Sequence, residues 1–388
     1  MKFLHTSDWH LGKRTDGRER TAEQREVLEE IREIAERERA DVVLVAGDVY
    51  DTYMPSAEAE ELFFDAAVKL AKDRMVVVVS GNHDDASRLT APAPMAKAHN
   101  VYLFGDVNEP CVASAAGGRV RAVRAGKGFI VAENDKGERV YIAVCPYPTE
   151  ARFKEEVKED ESFDDKMGRW LRAGLAANEE GLPAVLVGHF FVAGGQVSDS
   201  ERPIDLGGAR AVSKEVLPDC SYIALGHLHK RQTVSRSKNA FYSGAILEYA
   251  FDEAGWEKSV NVFEINGGRT ENFRQIPLTK GRKLMRLEAD GYENALDVLE
   301  KNAQYYTELT LRLAEPLTDV QVKTIKSRFP DLLSLAFEFT EGEKRTESKK
   351  NMSDEELFAG YYAANYGKAP PAELMNLFLE LINETDKT

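Results

Sequence analysis

Short apolar runs in this chain end five times in Gly or Ser followed at once by Asp, Asn or His. The junctions read Thr6-Ser7-Asp8-Trp9-His10, Ala46-Gly47-Asp48-Val49-Tyr50-Asp51, Ser80-Gly81-Asn82-His83-Asp84, Val187-Gly188-His189-Phe190 and Leu225-Gly226-His227-Leu228-His229. Five of the seven histidines stand in these junctions; only His5 and His99 do not. Carboxylate, amide and imidazole groups delivered together from strand ends are the donor set of a metal centre. The mixture suits Mn, Fe or Zn better than Mg or Ca, which prefer oxygen alone. Phosphoester hydrolysis is the chemistry such a centre supports. The phosphate must be neutralised, a hydroxide must exist at neutral pH, and the leaving oxygen must be stabilised. Two divalent ions roughly 4 Å apart meet all three needs.

Two ions that close repel each other, so a carboxylate must bridge them. Asp48, in the middle junction, is the natural bridge. One ion then takes Asp8, His10 and His229, and the other takes Asn82, His189 and His227. His83 is expected to stay off the metals. Neighbours at a strand end point to opposite sides, so Asn82 faces the metal while His83 faces substrate, where an imidazole can protonate the leaving oxygen. That imidazole needs a carboxylate to fix its tautomer. Asp51 is the first choice and Asp84 the second. The glycines before Asp48, Asn82, His189 and His227 are expected to let the backbone turn sharply and approach the ions. Each motif alone reads more readily as a turn, a cap or a packed histidine than as a functional group. Five of them, each at a strand end, outweigh that reading.

The elements that must position these groups follow from the apolar pattern. Lys2–Leu4, Val42–Val45, Val76–Val79, Val185–Val187 and Tyr222–Leu225 read as short buried strands. Thr21–Arg39 and Ser56–Ala71 carry apolar residues at helical spacing, and Asp164–Asn178 reads as a third helix. Glycine-punctuated segments in 110–145 predict hairpins, and 240–277 predicts further strands. An α/β fold in which a two-sheet β sandwich is flanked by helices absorbs all of these, and residues 1–278 form this unit. Residues 279–340 read as a small α/β unit of strand, helix, strand, helix, strand. Residues 341–350 lack large apolar side chains and read as a polar linker. Residues 351–388 read as a helical tail, opened by a capping box at Ser353 and Glu356 and interrupted at Pro370-Pro371.

With 51 Lys and Arg against 66 Asp and Glu, the net charge is −15. Bulk charge therefore does not hold this chain to nucleic acid. Local clusters remain available: Lys13, Arg14 and Arg18 follow one junction, and Lys230 and Arg231 follow another. These five are the candidate phosphate contacts. Arg119 to Lys127 reads instead as a charged sheet edge. No apolar stretch approaches the roughly 20 residues of a membrane span, and Met1–His5 has no signal-peptide pattern. The three cysteines have no pair spacing. A cytoplasmic, reduced setting is expected.

The set Asp8-x-His10, Gly47-Asp48-x-x-Asp51, Gly81-Asn82-His83-Asp84, Gly188-His189 and Gly226-His227-x-His229 resembles the calcineurin-like metallophosphoesterase superfamily. Thr6-Ser7-Asp8-Trp9-His10-Leu11-Gly12, Gly47-Asp48-Val49-Tyr50-Asp51-Thr52, Arg202-Pro203-Ile204-Asp205-Leu206-Gly207-Gly208 and Phe251-Asp252-Glu253-Ala254 resemble, within it, the SbcD-type nucleases of double-strand-break repair. The resemblance implies a metallophosphoesterase fold with a DNA-binding capping domain at 279–340. It implies Mn-dependent exonuclease action on duplex ends and endonuclease action on single strands or hairpins. It also implies a homodimer and a coiled-coil ATPase partner, SbcC, bound through the C-terminal helices. Asp8, His10, Asp48, Asn82, His189, His227 and His229 would hold the ions, with His83 as the catalytic histidine. The run around Leu62–Phe64 serves either the dimer contact or the core. The alternative is a metallophosphoesterase for small phosphodiesters or phosphomonoesters, which leaves the extra unit and tail unexplained.

Overall fold

The computed structural model describes residues 1–339 apart from 107, 109, 115, 150–160, 200 and 202–210. Beyond 339 it describes residues 358, 359, 362, 369–371, 374, 375 and 378. The expected linker at 341–350 lies outside the described residues, as does most of the tail. Both Phe358 and Phe378 are described, and their rings stack with centroids 4.0 Å apart.

The chain begins with β1 (Lys2–Thr6), a two-rung hairpin of β2 (Arg14–Thr15) and β3 (Arg18–Glu19), and α1 (Thr21–Arg37). Then come β4 (Val42–Ala46), α2 (Ala57–Leu70), β5 (Met75–Val79), two short helices at Ala86–Thr90 and Ala93–Ala96, and β6 (Val101–Phe104). Ser56 caps α2 by accepting from Ala59 N, which satisfies one of the amides orphaned at a helix start. Strands β7 (Val120–Gly126), β8 (Phe129–Asn134) and β9 (Arg139–Cys145) form the expected antiparallel hairpins. After the helix Phe163–Ala176 follow β10 (Ala184–His189), β11 (Tyr222–Gly226), β12 (Gln232–Ser235) and β13 (Ala240–Tyr242). Strands β14 (Ser259–Asn266) and β15 (Arg269–Pro277) return to the first sheet.

The two sheets run β15-β14-β1-β4-β5-β6 and β12-β13-β11-β10-β9-β8-β7. Period-two alternation explains how they stack. In β4, Val43 and Val45 face α1 and α2, while Val42, Leu44 and Ala46 meet the second sheet. Strand β5 divides the same way, with Val76 and Val78 outward and Met75, Val77 and Val79 inward. Such strands are buried on both faces, as parallel strands covered by helices must be. Each fully buried Val or Leu contributes about 1.5–3 kcal/mol. Leu62 and Phe63 are 1% and 0% exposed in this core. Of the two uses open to the Leu62–Phe64 run, burial on α2's inner face favours the core, with Phe64 alone of the three partly exposed.

Strands β1, β4, β5 and β6 are mutually parallel, as are β9, β10, β11 and β13. Their carboxyl ends share one rim, where open α/β sheets place their chemistry. A third, all-parallel sheet of β16 (Leu284–Asp290), β17 (Tyr306–Leu313) and β18 (Leu332–Phe339) carries helices Tyr292–Lys301 and Asp319–Arg328 over its own apolar cluster. It meets the larger unit through a small apolar cluster of Phe251, Leu284 and Tyr306 and through polar contacts. The buried Arg20 guanidinium donates to the Arg282 carbonyl at 2.9 Å, Tyr306 donates to Glu23 at 3.0 Å, and Arg18 pairs with Asp331 at 3.3 Å.

Candidate metal centre

The rim assembles all seven expected donors, and each is at most 7% exposed. Asp48 occupies the middle. Its Oδ2 stands 3.5 Å from His10 Nε2 and 3.4 Å from His189 Nε2, while its Oδ1 accepts from His83 N at 2.8 Å. On one side, His10 Nε2 lies 3.0 Å from His229 Nε2, with Asp8 in the same cluster. On the other, Asn82 Oδ1 lies 2.8 Å from His189 Nε2 and 2.9 Å from His227 Nδ1. Buried lone-pair atoms converging this closely, from different strands, fit a shared cation better than they fit one another.

The backbone is bent to reach this arrangement. Asp8, His10, Asp48 and His227 have φ of 52°, 45°, 48° and 110°, in the left-handed region that side chains usually avoid. The expected sharp turn is present at Gly47, whose φ is 82°, and the glycines also clear room for neighbouring groups. A Cβ on Gly47 would stand 2.2 Å from His189 Nδ1, one on Gly81 2.0 Å from Asp48 Oδ1, and one on Gly226 1.7 Å from the Ala46 carbonyl.

Burial and charge set the protonation states. Burial lowers His10 and His227 to about 3, so both are neutral donors. At His189 burial is outweighed by the Asp48 carboxylate, and the ring is pushed up to about 9, so it must give up a proton before it can serve as a metal donor. Asp48 resists its own burial because His189 and His83 hold it well below the usual carboxylate range. Burial raises Asp8 to about 6, although Ser7 Oγ donates to it at 2.5 Å.

His83 does not point away from the donors. Its ring packs edge-on against His10 with centroids 4.6 Å apart, and it clusters with His10 and Asp48. Its tautomer is fixed by the expected residue through a different group. The Asp51 carbonyl accepts from His83 Nδ1 at 2.7 Å, while the Asp51 carboxylate is 3.8 Å away. That carboxylate serves Lys13 Nζ at 2.8 Å and stands 3.4 Å from His10 Nδ1. Asp84, the second choice, instead accepts from the amides of Val49, Tyr50 and Gly81, tying two junctions together.

Of the five candidate phosphate contacts, Lys13 touches the site through Asp51. Lys230 follows His229 in the chain, but its Nζ donates to Gln196 at 2.6 Å and lies 5.0 Å from the Trp256 ring centroid. Arg14 pairs with Glu19, Arg18 reaches Pro330 and Asp331, and Arg231 pairs with Glu257. His5, outside the junctions, has its nitrogens 3.1 Å from the Tyr222 hydroxyl and the Leu225 carbonyl.

Sequence reasoning missed Glu253. This fully buried carboxylate takes His229 Nδ1 at 3.0 Å and Lys258 Nζ at 2.5 Å. A carboxylate behind a donor imidazole fixes which nitrogen faces the metal. Its only signal was the Phe251-Asp252-Glu253-Ala254 segment, which carries no spacing relation to the histidines.

The calcineurin-like phosphoesterase profile matches residues 1–231. The curated SbcD component of the SbcCD nuclease from Bacillus subtilis is 33% identical over 100% of this chain and 99% of its own. Its namesake from Staphylococcus epidermidis is 27% identical over 93% of this chain and 92% of its own. A solved dimetal phosphatase from Danio rerio, at 12% identity, covers 72% of this chain and 99% of its own with a TM-score of 0.41.

Proposed function

This chain belongs to the calcineurin-like phosphoesterases, in the branch of the SbcD-type nucleases, and on that premise we propose that it is a two-metal DNA nuclease. It hydrolyses phosphodiester bonds at duplex ends as an exonuclease and in single strands or hairpins as an endonuclease. The observation that supports this best is Asp48 Oδ2, set 3.4–3.5 Å from His189 and His10 between two groups of donors. Asp8, His10 and His229 would hold one ion, Asn82, His189 and His227 the other, and Asp48 both. Two bound divalent ions, Mn(II) in this reading, would neutralise the phosphate and provide hydroxide at neutral pH.

The chain's own groups do the rest. The Asp51 carbonyl keeps the proton on His83 Nδ1, which leaves Nε2 to carry and deliver a proton to the leaving oxygen. Asp51's carboxylate orients His10 and Lys13. Lys13 and Lys230 guide the phosphate backbone near the site, and Arg14, Arg18 and Arg231 extend that path.

We divide the chain into a nuclease domain at 1–278, a DNA-binding capping domain at 279–340, a polar linker at 341–350 and a partner-binding tail at 351–388. The stacked rings of Phe358 and Phe378 support a paired-helix tail that docks on an SbcC-like coiled-coil ATPase. The nuclease acts as a homodimer in the cytoplasm. Among the described residues no helix is long and apolar enough to cross a membrane. Elemental analysis of purified protein, beside Mn(II)-dependent digestion of a linear duplex and of a nitrophenyl phosphodiester, tests the reading. Hydrolysis of the nitrophenyl ester alone would replace it with a small-substrate phosphodiesterase.

A further inference from the structure

Strand β9 ends on the same rim as the donor strands but brings no donor there. With Cys145 opposite Gly188 across the β9–β10 ladder, Tyr147 stands beside the His189 junction. Its ring centroid lies 6.0 Å from those of His189 and His227, edge-on to the first and nearly parallel to the second. Phe191, two residues past His189, brings a second ring 6.3 Å from His227. Both rings are only partly buried, although every imidazole they touch is at most 5% exposed. Among the described residues, this half of the rim is therefore aromatic. The opposite half, around Lys13 and Asp51, is ionic.

The backbone at Tyr147 is restrained. It lies between Pro146 and Pro148, and a residue before proline is held extended. Its amide donates to the Ser80 carbonyl at 2.9 Å, which pins β9's end to the loop that carries Asn82 and His83. The root of the ring is thereby fixed at one place on the rim.

Resting on the nuclease reading above, we propose that Tyr147 and Phe191 are substrate-positioning residues that stack a nucleobase next to the scissile phosphate. Such stacking accepts any base, because every base has a π face. It favours strands whose bases are unpaired at the cut. Duplex ends that fray and hairpin loops meet that condition, whereas an intact helix keeps its bases engaged.

The test compares single-stranded oligodeoxythymidylate with an oligomer of equal length whose central residues are abasic, using the full chain with Mn(II). The wild type is expected to show a KM about 5-fold or more lower for the base-bearing strand. Tyr147→Leu and Phe191→Leu should each shrink that preference, while Tyr147→Phe retains it. Manganese content measured on the same samples registers any loss of donor geometry. Equal KM on both strands in the wild type would overturn the stacking role while leaving the nuclease reading intact. So would a preference that survives both Leu variants, which would leave the rings as mere braces for His227. Failure of the wild type to cut either strand would overturn the nuclease reading itself.

Discussion

The Glu253 carboxylate offers a sharp test of the metal centre, because among the described residues it reaches the donors through His229. Glu253→Gln keeps the shape but removes the charge that His229 and Lys258 share. Two losses follow. A carboxylate behind a metal-bound imidazole is worth roughly 10–100-fold in affinity, or about 1.4–2.7 kcal/mol. Separately, Lys258 Nζ, whose side chain is 7% exposed, would lose its only carboxylate partner within 4 Å among the described residues. Leaving one member of a buried pair alone costs about 3–5 kcal/mol of stability. A second substitution separates the two effects. Lys258→Met in the Glu253→Gln background should restore much of the melting temperature without restoring metal affinity. Isothermal titration with Mn(II) should then show one weakened step, from the Asp8, His10 and His229 side, and one unchanged step, from the Asn82, His189 and His227 side. Two unaltered steps in Glu253→Gln, or equal weakening of both, would refute the division of donors into two sets around Asp48.

Further outcomes follow from the same geometry. His83→Ala should cut the cleavage rate by about 10²–10⁴ with manganese content unchanged by elemental analysis; a full rate would end its assignment as the acid. Asp48→Asn, which tolerates the local backbone, should leave less than one tightly bound metal per chain, and two bound ions would contradict the bridge. Deleting the residues after 345 should preserve Mn(II)-dependent cleavage yet abolish co-purification with the ATPase; loss of folding would instead mark the tail as part of this chain's own core. His5 is lowered to about 3, chiefly by burial. Between its unfolded value near 6.5 and that limit only the unfolded state binds the proton, so acidification destabilises the fold by at most about 1.4 kcal/mol per pH unit. His5→Gln should flatten that slope in denaturant titrations, and an unchanged slope would place the sensitivity elsewhere.

The sandwich and its donors were readable because they depend on local, periodic signals. β-Branched runs such as Val42–Val45 fit only a doubly covered strand, and a polar residue straight after such a run has one rim to occupy. What escaped depends on distance through space rather than along the chain. Glu253 reaches His229 across 24 residues, with no periodicity linking them. The partner of His83 was the right residue through the wrong atom, since a backbone carbonyl leaves no trace in side-chain identity. The hairpin at 14–19 is too short and polar to show alternation, yet it joins the Lys13 side of the site to the small parallel sheet through Arg18. The clearances that the glycines provide, against His189, Asp48 and the Ala46 carbonyl, depend on how closely the two sheets approach, which residue order does not show.

The four left-handed turns at Asp8, His10, Asp48 and His227 carry a consequence for where the centre is vulnerable. Conformations of this kind cost of order 1–3 kcal/mol each and persist only where surrounding packing overrules them. Here the overruling force comes from β1, β4 and β11, whose ends lead into these turns. A cavity opened beneath those strand ends would let the backbone relax and scatter the donors without altering any of them.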